Sequence, residues 1–198
     1  MRKETRTRLA SLISNILNPF LMSLVAFVLL AFKSRSSVLS AVRWSLVLTT
    51  ISLAPILLIA AYLVRKGKLD NLFRSVRQQR TELYLLTGAV TAVDYVILLF
   101  INAPRLLVAG MGVGLLGLMI FMCINFWWKI SLHTAFATAL AIVTGILYGW
   151  IAGVAAIPLV LVGWSRVELR EHSVAQVIAG ALFATVIGLV GFRLFGII

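Results

Sequence analysis

Acidic residues are scarce in this chain: six Asp and Glu stand against eighteen Lys and Arg, and charged residues make up only 12% of the total. A soluble domain carries about 25% charged residues. That deficit, beside 62% hydrophobic residues, excludes an ordinary water-soluble globule and predicts an integral membrane protein. A single cysteine, Cys123, excludes a disulfide framework and says nothing about redox compartment. One cysteine and two distant histidines exclude a zinc-type ligand set. No P-loop or GxSxG occurs. Gly112, Gly114 and Gly117 spell GxGxxG, but inside an apolar run with no strand before it, which excludes a dinucleotide fold. The net charge of +12 sits in short loops between apolar runs. Lipid headgroups and membrane topology account for it better than nucleic acid.

What is present is a series of apolar runs. A span needs about 20 residues to cross a core of about 30 Å. Candidate spans run roughly over 12–32, 42–64, 83–101, 105–127, 131–149, 150–164 and 173–195. The expected fold is all-α: one polytopic helical bundle over residues 1–198 with six to seven transmembrane helices. The first span is read as retained, because no small-residue cleavage site follows the basic start. Pro55 falls inside the second span, where neighbouring helices can satisfy the freed backbone. Gly145, Gly149 and Gly153 recur every four residues and read as close helix packing. Asp94 lies mid-span, where an ionisable group is a functional hypothesis by default.

Seven spans put the N-terminus, the 65–82 loop, the 128–131 edge and the 165–172 island on one face. That face carries 13 Lys and Arg against five on the other, which predicts that it is cytoplasmic. Three polar segments share it: Asp70 through Arg80, Lys129 through His133, and Ser165 through Gln176. Two histidines among fixed cations suit phosphoryl transfer. Cations and backbone N–H groups neutralise phosphoryl oxygens, one imidazole attacks phosphorus, and the other protonates the leaving oxygen. Ser131 and Ser173 are candidate helix caps, and a helix N-terminus favours an anion.

These segments resemble the motifs of the type 2 phosphatidic acid phosphatases, membrane lipid phosphate phosphatases related to vanadium haloperoxidases. Ser165-Arg166, five residues, then His172 follow that family's SRxxxxxHxxxD, with Gln176 where its Asp stands. Ile130-Ser131-Leu132-His133 stands where the family has PSGH. Asp70, Arg77 and Arg80 resemble a variant of its first motif, KxxxxxxRP. The resemblance covers a phosphatase-type core of roughly 65–195.

The resemblance implies a phosphohistidine on His172 and a proton donor at His133. It implies phosphate held by Arg166, Ser131 and Arg80, assisted by Arg77 or Lys129, with Asp70 and Ser165 as further candidates. It implies no metal and no cofactor. Gln176, four residues after His172, shares its helix face and can fix the ring tautomer without a full charge. The expected partner is a lipid phosphate within the bilayer, first a polyprenyl mono- or diphosphate, next phosphatidic acid or phosphatidylglycerophosphate. The alternatives are a lipid-binding or lipid-translocating protein on the same scaffold, or phosphotransfer to an acceptor other than water.

Overall fold

The computed structural model describes the backbone of residues 2–34, 37–67, 77–149 and 152–198, excluding the side chains at 2, 3, 77–80 and 152. All the described structure is helical. In chain order the helices are α1 (Arg2–Ile16), α2 (Pro19–Ser34), α3 (Val38–Leu48), a π-turn (Thr49–Leu53), α4 (Ala54–Arg65), α5 (Arg77–Phe100), α6 (Arg105–Asn125), α7 (Leu132–Tyr148), α8 (Ala152–Glu168) and α9 (Val174–Leu194).

The breaks follow from local chemistry. The Asn18 side chain accepts from the Leu21 N–H, and Pro19 then starts α2, so α1 and α2 meet at a bend of 42°. Pro55 has no N–H to donate, and the chain widens into a π-turn just before it, closed by Ala54 N–H on the Thr49 carbonyl. Val38–Arg65 nonetheless continues as one 28-residue helix.

Among the described residues four helices are long and apolar enough to span a membrane: Val38–Arg65, Thr81–Phe100, Arg105–Asn125 and Val174–Leu194. The bent α1–α2 pair would make a fifth. Sequence reading expected six to seven. The difference lies in α7 and α8, each 17 residues long, with Pro158 inside α8. At 1.5 Å per residue each is about 25 Å, short of a full hydrocarbon core. Apolar side chains cover the outside: Leu58 is 71% exposed, Val160 70% and Leu194 77%. In water such a surface would aggregate, whereas lipid solvates it.

The shorter helix α7 is the centre of the bundle. It packs against α8, α9 and α2, while α6 packs on α5, α9 and α2. Small residues bring α7 and α9 close. A Cβ on Gly180 of α9 would stand 2.6 Å from both the Ser131 carbonyl oxygen and Thr134 Oγ1. Backbones approach closely only where no side chain intervenes.

Candidate functional site

The site is built where α8 ends and α7 and α9 begin. The polar island of the sequence is not all loop: Ser165 through Glu168 form the last turn of α8. The helix then closes with a Schellman turn. Glu171 N–H donates to the Arg166 carbonyl (3.1 Å) and Arg170 N–H to the Val167 carbonyl (2.9 Å). Arg170 takes the left-handed position, φ +56°, that glycine usually fills. His172 N–H also donates to the Arg166 carbonyl, at 3.2 Å. The five residues between Arg166 and His172 are therefore what this turn needs to fold the histidine back over the arginine.

Helix α9 starts at once, with Ser173 as N-cap and Gln176 completing a capping box. Gln176 Oε1 lies 3.1 Å from the Ser173 backbone N and 3.1 Å from His172 Nδ1. A backbone N–H can only donate, so the atom facing it is the amide oxygen, not the nitrogen. An amide oxygen can only accept, so His172 carries its proton on Nδ1. In the neutral ring that puts the lone pair on Nε2, the atom from which an imidazole acts as a nucleophile.

Arg166 is 2% exposed, yet it is anchored. Its Nη1 donates to Ser14 Oγ at 2.9 Å, across from α1, and its Nη2 lies 3.8 Å from Glu171 Oε2. The same carboxylate oxygen is 4.0 Å from Lys129 Nζ. Glu171 thus sits between two cations. Glu168 faces away from them and pairs with Arg6 of α1 at 2.7 Å.

His133 lies in the first turn of α7, capped by Ser131, whose Oγ accepts from Thr134 N–H at 3.5 Å. Ser131 N–H reaches the Gln176 carbonyl at 3.4 Å and so joins the starts of α7 and α9. Two helix N-termini and two cations therefore converge, which favours an anion.

One cavity of about 200 Å³ is lined by His133, Arg166 and His172 at its polar end. Tyr84 and Thr87 of α5 and Pro19, Phe20 and Ser23 of α2 continue its wall. Ser23, Phe27, Gly110, Gly114, Leu118, Leu132 and Phe136 also line a second, largely apolar cavity of about 150 Å³ between α2, α6, α7 and α9. The two share this wall, so the apolar cavity adjoins the one that holds the histidines. Comparison with known protein families, curated proteins and solved structures finds no match to this chain.

Of the residues expected from sequence, His133, Arg166, His172, Gln176, Ser131, Ser165 and Lys129 come together at one end of the bundle. Ser131 caps α7, and the Ser165 hydroxyl donates to the Val162 carbonyl at 2.8 Å. Arg77 and Arg80 stand in the first turn of α5, their side chains outside the described residues, and Asp70 lies outside them altogether. Among the described residues no group of His, Cys, Asp and Glu is arranged to hold a metal ion. Ser14 and Tyr84 were missed. Ser14 carried no motif signal, and Tyr84 had only its helical spacing with Thr87 and Thr91.

Proposed function

We propose that the protein is a membrane-embedded phosphatase acting on a lipid-linked phosphate through a phosphohistidine on His172. The observation that carries this reading is the Ser173–Gln176–His172 chain, which holds a proton on Nδ1 and so puts the lone pair of the neutral ring on Nε2, in the cavity it shares with Arg166. In the first step Nε2 attacks phosphorus. The P–O bond to the lipid breaks, and the departing oxygen takes a proton from His133. In the second step His133 accepts a proton from water, the water oxygen attacks phosphorus, the P–N bond breaks and phosphate leaves. Arg166 and Lys129 neutralise the equatorial oxygens, supplementing general acid–base catalysis worth about 10²–10⁴-fold. The apolar path beyond the histidines supports an amphiphilic substrate, its chain running between α2, α6 and α7. Polyprenyl phosphate or diphosphate is the first substrate class, phosphatidic acid or phosphatidylglycerophosphate the second. The excess of Lys and Arg in the polar segments of this end supports a cytoplasmic orientation.

Neutral Gln176 favours a second reading. Without a full charge to stabilise the imidazolium, the scaffold would bind or translocate the lipid phosphate. Phosphate release from these lipids by the wild type and by His172→Ala, in chelator, tests the first reading. Release that depends on His172 supports it; no release by folded wild type favours the second. Orthovanadate, which mimics five-coordinate phosphorus, separates the two in the same assay by inhibiting only an enzyme.

A further inference from the structure

Asp94 takes no part in the chemistry above. It is 2% exposed, on a stripe of α5 formed by Tyr84, Thr87, Thr91 and Asp94. Spacings of three, four and three residues place them on one helix face. Tyr84, Thr87 and Thr91 line the cavity that begins at His133 and His172, and so does Ser52 of the π-turn. Asp94 lies ten residues beyond Tyr84, about 15 Å further along α5.

The Ser52 hydroxyl adjoins the Asp94 carboxyl but without the distance and angle of a full hydrogen bond. Ser52 Oγ and Asp94 Oδ2 are both buried without a hydrogen-bond partner. Ser52 is 4% exposed and Thr91 7%. The Thr91 hydroxyl donates to the Thr87 carbonyl at 2.7 Å, which leaves its lone pairs for another group. Pro55 has no N–H to return to the π-turn carbonyls. No described Lys, Arg or His forms an ion pair with Asp94.

We propose that Asp94, Ser52 and Thr91 form a sodium-ion site within the membrane. A carboxylate buried among apolar helices is costly unless one positive charge offsets it. The side-chain donors here are all hard oxygens: a carboxylate and two hydroxyls. Such a set suits a hard cation and not a soft transition metal. A single carboxylate balances a single charge, so a divalent ion would leave a net charge in a low dielectric. A proton would also neutralise Asp94, and the sodium and pH arms of the test separate the two. The π-turn fits a ligand role, because such turns occur frequently at functional sites.

The test uses the full chain in detergent and needs no turnover. Thermal unfolding is followed in sodium, potassium and choline chloride at equal ionic strength and fixed pH. Sodium is expected to raise the midpoint saturably, by about 3 °C or more over choline. Asp94→Asn carries no charge to compensate. It is expected to fold without sodium and to lose the sodium response, while Ser52→Ala needs at least about tenfold more sodium for half the shift. Equal midpoints in the three salts, or a response that survives Asp94→Asn, would overturn the site. A midpoint that follows pH but not sodium would overturn it in favour of a protonated carboxyl. Radioactive sodium binding to the wild type, absent in Asp94→Asn, is the second expected result, and equal binding by both would also overturn the site.

Discussion

Gln176 Oε1 stands 3.1 Å from His172 Nδ1 and accepts at the same time from the Ser173 backbone N–H. One amide oxygen therefore both caps α9 and sets the histidine tautomer. The two roles are separable. Ser173→Ala removes the hydroxyl cap and is expected to cost about 1 kcal/mol of stability with little change in kcat. Gln176→Leu keeps the bulk and loses the acceptor, and kcat is expected to fall roughly 10–100-fold. Denaturation midpoints beside steady-state rates check both. A larger rate loss in Ser173→Ala than in Gln176→Leu would contradict the assignment.

Gly180 holds the site together without lining it. Its missing Cβ lets α9 lie against the Ser131 carbonyl and Thr134 Oγ1. Gly180→Val must push α9 away from α7 and with it loosen the Ser131–Gln176 bond. A destabilisation of about 1–3 kcal/mol is expected, with a drop in kcat that Gly153→Ala does not show. Gly153 is the control because a Cβ there meets nothing within 4 Å.

In the proposed reaction Glu171 would compete with substrate. Its carboxylate lies 3.8 Å from Arg166 Nη2 and 4.0 Å from Lys129 Nζ, where a phosphate would sit. Glu171→Gln removes the competing charge and keeps a hydrogen-bonding group. KM for a phosphomonoester is expected to fall about two- to fivefold, and more at low salt. A KM that rises instead would mean that Glu171 serves to hold Arg166 in place.

The inner cavity should set chain length. A Cβ at Gly114 meets nothing within 4 Å, and the residue borders both cavities. Gly114→Phe therefore fills open space instead of displacing helices. Activity on long-chain substrates is expected to fall at least about tenfold, while a short-chain phosphate is turned over as before. Loss on both chain lengths would place the substrate chain elsewhere.

The helical class and the meeting of the 129–133 and 165–176 segments at one end were legible, because apolar runs and intervening charges fix both, while the 70–80 segment expected beside them has no described side chains. The Arg166-to-His172 spacing was legible as a motif, though not its cause. A Schellman turn is normally marked by glycine, and here Arg170 stands in that place. Ser173 and Gln176 form an S-x-x-Q capping box that the sequence displays, yet each was read for a separate role. Ser14 was invisible, because 152 residues separate it from Arg166 and only the packing of α1 on α8 brings them together. Among the described residues four helices, or five with the bent pair, have the length and apolarity of a span, against six to seven read from sequence, because α7 and α8 are as apolar as the longer helices but run for 17 described residues each.

The most direct measurement traps the phosphoryl group on the protein. Wild type and His172→Ala would be mixed with a lipid phosphate radiolabelled in its phosphoryl group, then denatured in alkali. The account expects label on the wild-type chain, stable to alkali and lost in acid, as a phosphorus–nitrogen bond requires, and no label on His172→Ala. Turnover without a labelled intermediate, or equal labelling of both proteins, would contradict a phosphohistidine at His172.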